Sequence, residues 1–189
     1  MRKNLILPIL LLFSIFGFSQ TTMPDKNKLN AMTFDMGFSS KNYMNFNFNV
    51  IYNKILFGFE YEMPLKTGVI GENYTTINWD QFPEDRQSSG MYVDNQICFQ
   101  VGYNIIDKLV LGVGLGIGEE IYYRNMFDDF HILGSNGYYN LHKSGNILLQ
   151  TKIFANYLIP INNKTYLLLN VQHTKLSGTG GGLGLGFKL

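Results

Sequence analysis

The sequence predicts an all-β protein, an eight-stranded antiparallel up-and-down transmembrane β-barrel. Three observations carry that expectation. Apolar and polar residues alternate with period 2 in eight runs between residues 31 and 189. Short and long connections alternate between those runs. Gly112, Gly114, Gly116 and Gly118 hold every second place in LVLGVGLGIGEE, although glycine weakens a strand unless something requires it.

Ahead of the barrel, MRKNLILPILLLFSIFGFSQ places Arg2 and Lys3 before an apolar run, Leu5–Phe18, and small residues before Gln20. That is the layout of a secretory signal peptide, expected over residues 1–19. The run is shorter than the ~20 residues of a spanning helix and contains Pro8. The residue directly after the cut is Gln20 and not cysteine, so no lipid-modified N-terminus is expected. Residues 20–30 then form a short periplasmic segment, and 31–189 the barrel.

The runs follow in order. Met32, Phe34, Met36 and Phe38 alternate with Thr33, Asp35 and Gly37; Met44, Phe46, Phe48, Val50 and Tyr52 with Asn45, Asn47 and Asn49. Ile55, Phe57, Phe59 and Tyr61 oppose Gly58, Glu60 and Glu62. Val93, Ile97, Phe99, Val101 and Tyr103 oppose Asp94, Gln96, Cys98, Gln100 and Gly102. The glycine-rich run is the fifth. The sixth sets Ile147, Leu149, Ile153 and Tyr157 against Gln150, Lys152 and Asn156. The seventh sets Leu167, Leu169 and Val171 against Asn170, Gln172 and Thr174. GLGLGFKL closes the chain. These lengths suit the ~9–11 residues of a tilted membrane strand.

Tight turns are expected around Asn53, Ile106-Asp107 and Pro160–Asn163, with long gaps on the opposite side at 63–90 and 124–146. Short periplasmic turns and long outer loops mark an outer-membrane barrel. The alternation alone also fits a soluble barrel with an apolar interior. Three features select the inverted arrangement. An eight-stranded lumen is so narrow that glycines belong on its concave side. Tyr52, Tyr103, Tyr157 and Phe187 would form one aromatic girdle, and Tyr61 and Phe38 another. The last strand runs to the end of the chain, where it can close on the first.

Phe18-Ser19-Gln20, GLGLGFKL and the alternating strands between them resemble the small OmpA/OmpX-type outer-membrane barrels, particularly those of Bacteroidetes. The resemblance spans nearly the whole chain and is architectural, without a catalytic signature. It implies a cell outer-membrane location, contact with outer-membrane lipid, and insertion by machinery that reads the terminal strand, here with Phe187 two residues before Leu189. The longer OmpA proteins add a peptidoglycan-binding domain after the barrel; none is expected here.

Asp35, Glu60, Glu62, Asp94, Glu120, Lys152 and Lys188 share the lumen-facing parity. They read as a paired charge network plugging a narrow barrel, because isolated buried charge is costly. The alternative is a narrow channel through the polar lumen. A second alternative is a lipid-A-modifying enzyme, yet the deacylases' His-x-Ser pair is matched only by Gln172-His173-Thr174-Lys175, which lacks the serine. The glycine run departs from a dinucleotide fingerprint at Ile117. His131, His142, Asp128 and Asp129 fit no tight metal spacing, so neither metal nor cofactor is expected. The sequon Asn73-Tyr-Thr75 is short enough to arise by chance, and Cys98 reads as a small lumen residue without a disulfide partner. A net charge of +1 invites no nucleic acid. Tyr74, Trp79 and Phe82 lie among charged residues in the 63–90 loop and suit an extracellular partner. The expected protein is a monomeric, non-catalytic barrel with a structural or surface-interaction role through loops 63–90 and 124–146.

Overall fold

The computed structural model describes residues 29–70, 74–75, 86–106, 108–132 and 137–189. The expected signal peptide, most of the expected periplasmic segment, and Trp79 and Phe82 lie outside the described residues. Among the described residues nine strands form: β1 (Ala31–Ser39), β2 (Tyr43–Tyr52), β3 (Ile55–Pro64), β4 (Tyr74–Thr75), β5 (Arg86–Ile106), β6 (Leu109–Phe127), β7 (Tyr138–Pro160), β8 (Thr165–Thr174) and β9 (Gly178–Lys188). All but β4 pair antiparallel with their neighbours, and β1–β9 and β7–β8 pairing closes eight of them into a ring. Closure leaves no unpaired edge within the ring, which hydrocarbon would penalise.

The lower turns are tight. Asn53 and Lys54 both take positive φ (49° and 75°) between Tyr52 and Ile55, as a two-residue hairpin of primed type requires. Along β2, Asn45, Asn47 and Asn49 are buried while the residues between them turn outward. The same division runs round the barrel: Phe99 is 65% and Val113 61% exposed, whereas Asp35 and Glu60 are fully buried. A continuous apolar belt over a polar, glycine-lined interior is the membrane-spanning arrangement. The glycine row sits on its crowded side. A Cβ on Gly116 would overlap the Ile97 carbonyl, and one on Gly184 the Phe34 carbonyl, so neighbouring strands approach too closely for any larger residue without rearrangement.

Strands β5, β6 and β7 run 21, 19 and 23 residues, well past the expected ends. Arg86–Gly90, Arg124–Phe127 and Tyr138–Asn146, expected as loop, are strand, and Gly178–Gly181 belongs to β9. Two bulges explain the misreading. Asp94 and Asn95 together oppose Glu119, and Gly145 and Asn146 oppose Glu120, so the alternation slips at both places. Val93 consequently faces the interior with 7% exposure, not the outer face its parity suggested. Beyond the bulges the three strands rise above the ring, since β8 pairs with β7 only from Lys152 downward. Met126, Tyr139 and Leu141 pack into a small core there. The segment after β3 folds onto this extension: Asn125 accepts from Ile70 N–H (3.2 Å) and donates to Gly68 C=O (3.0 Å). β4 adds in parallel to the edge of β7 at Asn140–Leu141.

Candidate functional site

Adjacent inward rungs bring the polar side chains together. Asp35, Asn47 and Glu60 stand opposite one another on β1, β2 and β3, because directly paired residues share a face. Lys152 reaches across from β7 to pair with Glu60 at 2.5 Å, both side chains fully buried. Its ammonium also donates to Asn47 Oδ1 (2.8 Å), and Asn47 Nδ2 donates to Asp35 Oδ1 (2.9 Å). Gln100 donates to Asn47 (3.2 Å) and Asn49 (2.5 Å), whose own amide donates to Thr33 (3.2 Å).

A second knot sits one rung higher around Glu62. Its carboxylate accepts from Gln150 (3.1 Å), Gln172 (3.3 Å) and the Ser177 hydroxyl (2.7 Å). The Ser177 hydroxyl also meets Thr174 Oγ1, and Leu176 N–H donates to Gln150 Oε1 (3.0 Å). The β8–β9 turn is thereby drawn inward over the mouth of the barrel. Ser177→Ala removes the hydroxyl from a buried carboxylate and is expected to cost about 1–3 kcal/mol. Urea-unfolding midpoints of the two proteins in the same detergent measure it.

Three buried carboxylates thus face one buried ammonium. Asp35 Oδ2, Glu60 Oε1 and both amide atoms of Asn45 have no hydrogen-bond partner among the described residues. Below this layer the chemistry changes. Ile51, Leu56, Val110, Phe154, Leu158 and Leu168 fill the turn end of the lumen as an apolar floor. Sequence reasoning missed the floor because VIY, KILF, YLIP and YLLL are apolar on both parities. It gave no role to Ser177, nor to Asn47, Gln100 or Gln150, although the parity of these last three marked them as interior.

Other expected network members lie elsewhere. Glu120 stands near the outer end, accepting from Asn146 N–H (3.3 Å) and the Tyr122 hydroxyl (3.3 Å). Asp94 is half-buried at the bulge, and Lys188 is exposed at the lower end. Neither belongs to the buried knot. Of the girdle set, Tyr52, Tyr103, Tyr157 and Phe187 face outward, each about half exposed, with Tyr52 and Tyr103 flanking Ile55 on one rung. Phe38 is likewise outward, while Tyr61 is half-buried and donates to Asn95 Oδ1 (2.7 Å). Cys98 is buried in the lumen as expected. Tyr74 is placed only by its backbone pairing with β7. His173 faces outward, with Nδ1 2.9 Å from Thr179 Oγ1, whereas Ser177 faces inward on Glu62. The two are not a nucleophile and its base. Among the described residues no group of three His, Cys, Asp or Glu side chains could hold a metal.

Among the described residues, β6 and β7 end in a hairpin tip beyond Phe127 and Tyr138. Phe130 is 85% and Ile132 79% exposed there, and Phe127 stacks on Tyr138 with ring centroids 5.3 Å apart. The sequence reading gave loop 124–146 a contact role as a whole but singled out none of these residues.

No protein-family model and no curated protein matches the sequence. Solved structures do resemble the fold. A de novo designed transmembrane β-barrel aligns at TM-score 0.39 and 11% identity over 88% of this chain and all of that one (100%). Ail, the attachment invasion locus protein of Yersinia pestis, aligns at 0.44 and 12% over 86% and 99%. Neisserial surface protein A, NspA, aligns at 0.40 and 7% over 85% and 93%. At these identities the likeness is one of fold alone.

Proposed function

We propose that this chain is an outer-membrane barrel whose work is surface contact, made by the tip of the β6–β7 hairpin and not by the lumen. The observation that carries the reading is Phe130 and Ile132, large apolar side chains left 85% and 79% exposed at the far end of the braced extension. Exposed apolar groups on a rigid stalk are the material of an interface. The neighbouring Asp129 and His131 supply a polar rim.

The lumen reads as a structural plug. The apolar floor and the Glu60–Lys152 pair above it oppose a water-filled path. Purified protein in a planar bilayer is expected to give no steady open-channel current; a sustained current would refute the plug. The chain acts as a monomer without a cofactor. The half-exposed tyrosines and Phe187 mark the interfaces with lipid, and the terminal β9 strand is what the insertion machinery engages.

Phe130→Ser with Ile132→Ser should abolish adhesion of cells displaying the barrel while leaving its heat-modifiable gel mobility unchanged. Adhesion that survives the double substitution contradicts the tip as the contact.

A further inference from the structure

On the outer wall of the barrel, one lipid-facing rung is unusually shallow. Ala155, Val171 and Gly181 stand opposite one another on β7, β8 and β9. Above them, Ile153, His173 and Thr179 form the next rung. Ala155, Val171, Ile153, His173 and Thr179, together with Leu111, line an open groove of about 390 Å³. The rung below is large again, with Tyr157, Leu169 and Leu183. A groove that is shallow at Ala155 and walled by Leu111, Ile153 and Val171 fits an acyl chain lying along the barrel.

The upper end of the groove is polar, which hydrocarbon does not favour. His173 and Thr179 meet there at 2.9 Å. Just above, the β1–β2 and β8–β9 turns are locked together: Ser40 N–H donates to Thr179 C=O (2.7 Å) and Lys41 N–H to Ser177 C=O (3.3 Å). Lys41 Nζ donates to Leu176 C=O (3.0 Å), which uses one of its three protons. Lys175 is exposed on the same rim, its own N–H held by Thr151 C=O (2.9 Å). Neither turn contains a carboxylate, and among the described residues none lies within ion-pair distance of either lysine. Two uncompensated ammonium groups and an imidazole therefore stand directly over an acyl-sized groove.

We infer that this rim binds a phosphate-bearing membrane lipid. Lys41 and Lys175 hold the headgroup phosphate, His173 donates from its remaining ring nitrogen, and one acyl chain runs down over Ala155. The inference shares with the proposed function only the placement of the barrel in a membrane and is independent of the hairpin tip. The site would give the barrel a fixed lipid neighbour on one side.

The probe is phosphatidic acid. Full-length mature barrel is folded into vesicles of phosphatidylcholine with and without phosphatidic acid, extracted, and weighed by native mass spectrometry with its retained lipid. The wild type is expected to retain phosphatidic acid in preference to phosphatidylcholine. Lys41→Ala with Lys175→Ala should reduce that preference about 30-fold, since each lysine near a membrane surface contributes about 1 kcal/mol toward an anionic lipid. Ala155→Leu, which fills the groove, should lower retention of both lipids. Lys164→Ala, on the opposite rim, should change nothing. The inference is overturned if the wild type shows no preference, if the double variant keeps it, or if Lys164→Ala loses it equally. It is also overturned if inorganic phosphate raises the unfolding midpoint as much as phosphatidic acid does, because the site would then take free phosphate. Heat-modifiable mobility confirms that each variant is folded.

Discussion

Lys152→Met is expected to destabilise the folded barrel by about 3–5 kcal/mol, because it leaves the Glu60 carboxylate buried without its charge partner. Both side chains are fully buried at 2.5 Å, and the ammonium also supplies a donor to Asn47, which in turn holds Asp35. Removing it strands an anion in a lumen that the glycine rows make too narrow to flood freely. The paired substitution Lys152→Met with Glu60→Gln should recover most of the loss, since the penalty lies in the uncompensated charge and not in the absence of the pair. Urea titrations of the wild type and the two variants in one detergent give the comparison. A single variant as stable as the wild type would mean that the pair is solvated.

Gly116→Ala is expected to cost about 3 kcal/mol, the upper end for overpacking. The added Cβ would meet the Ile97 carbonyl, and Cys98 Cα would lie only 2.6 Å away, both backbone of the neighbouring strand. Backbone in a closed ring cannot retreat without opening a rung. Gly186→Ala is the control. Its nearest atoms are side-chain carbons, Thr33 Cγ2 at 3.1 Å, Tyr166 Cβ at 3.4 Å and Leu158 Cδ2 at 3.6 Å. These can shift, and the cost should stay below about 1 kcal/mol. Equal effects at the two positions would show that the glycines serve something other than close approach.

The eight staves were legible in the sequence because each lies between two different solvents, lipid and a polar lumen. A period-2 pattern such as Phe46-Asn47-Phe48-Asn49 records that contrast directly. The pattern faded wherever the contrast did. Leu56 and Leu158 belong to the apolar floor, where both faces are greasy, so nothing in KILF or YLIP marked them as interior. Above the membrane the signal failed differently. The bulges at Asp94–Asn95 and Gly145–Asn146 shift the phase, and the burial of both Asn125 and Met126 shows that both faces of the extension are covered. No alternation survives under those conditions.

The site divided along the same line. Asp35, Glu60, Glu62 and Lys152 announced themselves by charge at interior parity, and the structure joins them through Asn47 and the surrounding glutamines. Asp94 and Glu120 had that parity too, but they lie at or beyond the bulges, where parity no longer specifies depth. Phe130 and Ile132 fell within the loop expected to make contact, but nothing singled them out, because exposure at a hairpin tip is set by how far the strands beneath it extend.

The orientation of the wall is tested most directly by tryptophan scanning against acyl chains carrying bromine. With Trp79 replaced by phenylalanine, single tryptophans are placed at Phe99, Val113 and Phe154, and the barrel is folded into brominated phosphatidylcholine. Trp at 99 and 113 should be strongly quenched and Trp at 154 should stay bright, since Phe99 and Val113 face outward and Phe154 is 5% exposed within the floor. Quenching at 154 with bright emission from 99 and 113 would place the apolar face inside and contradict the account.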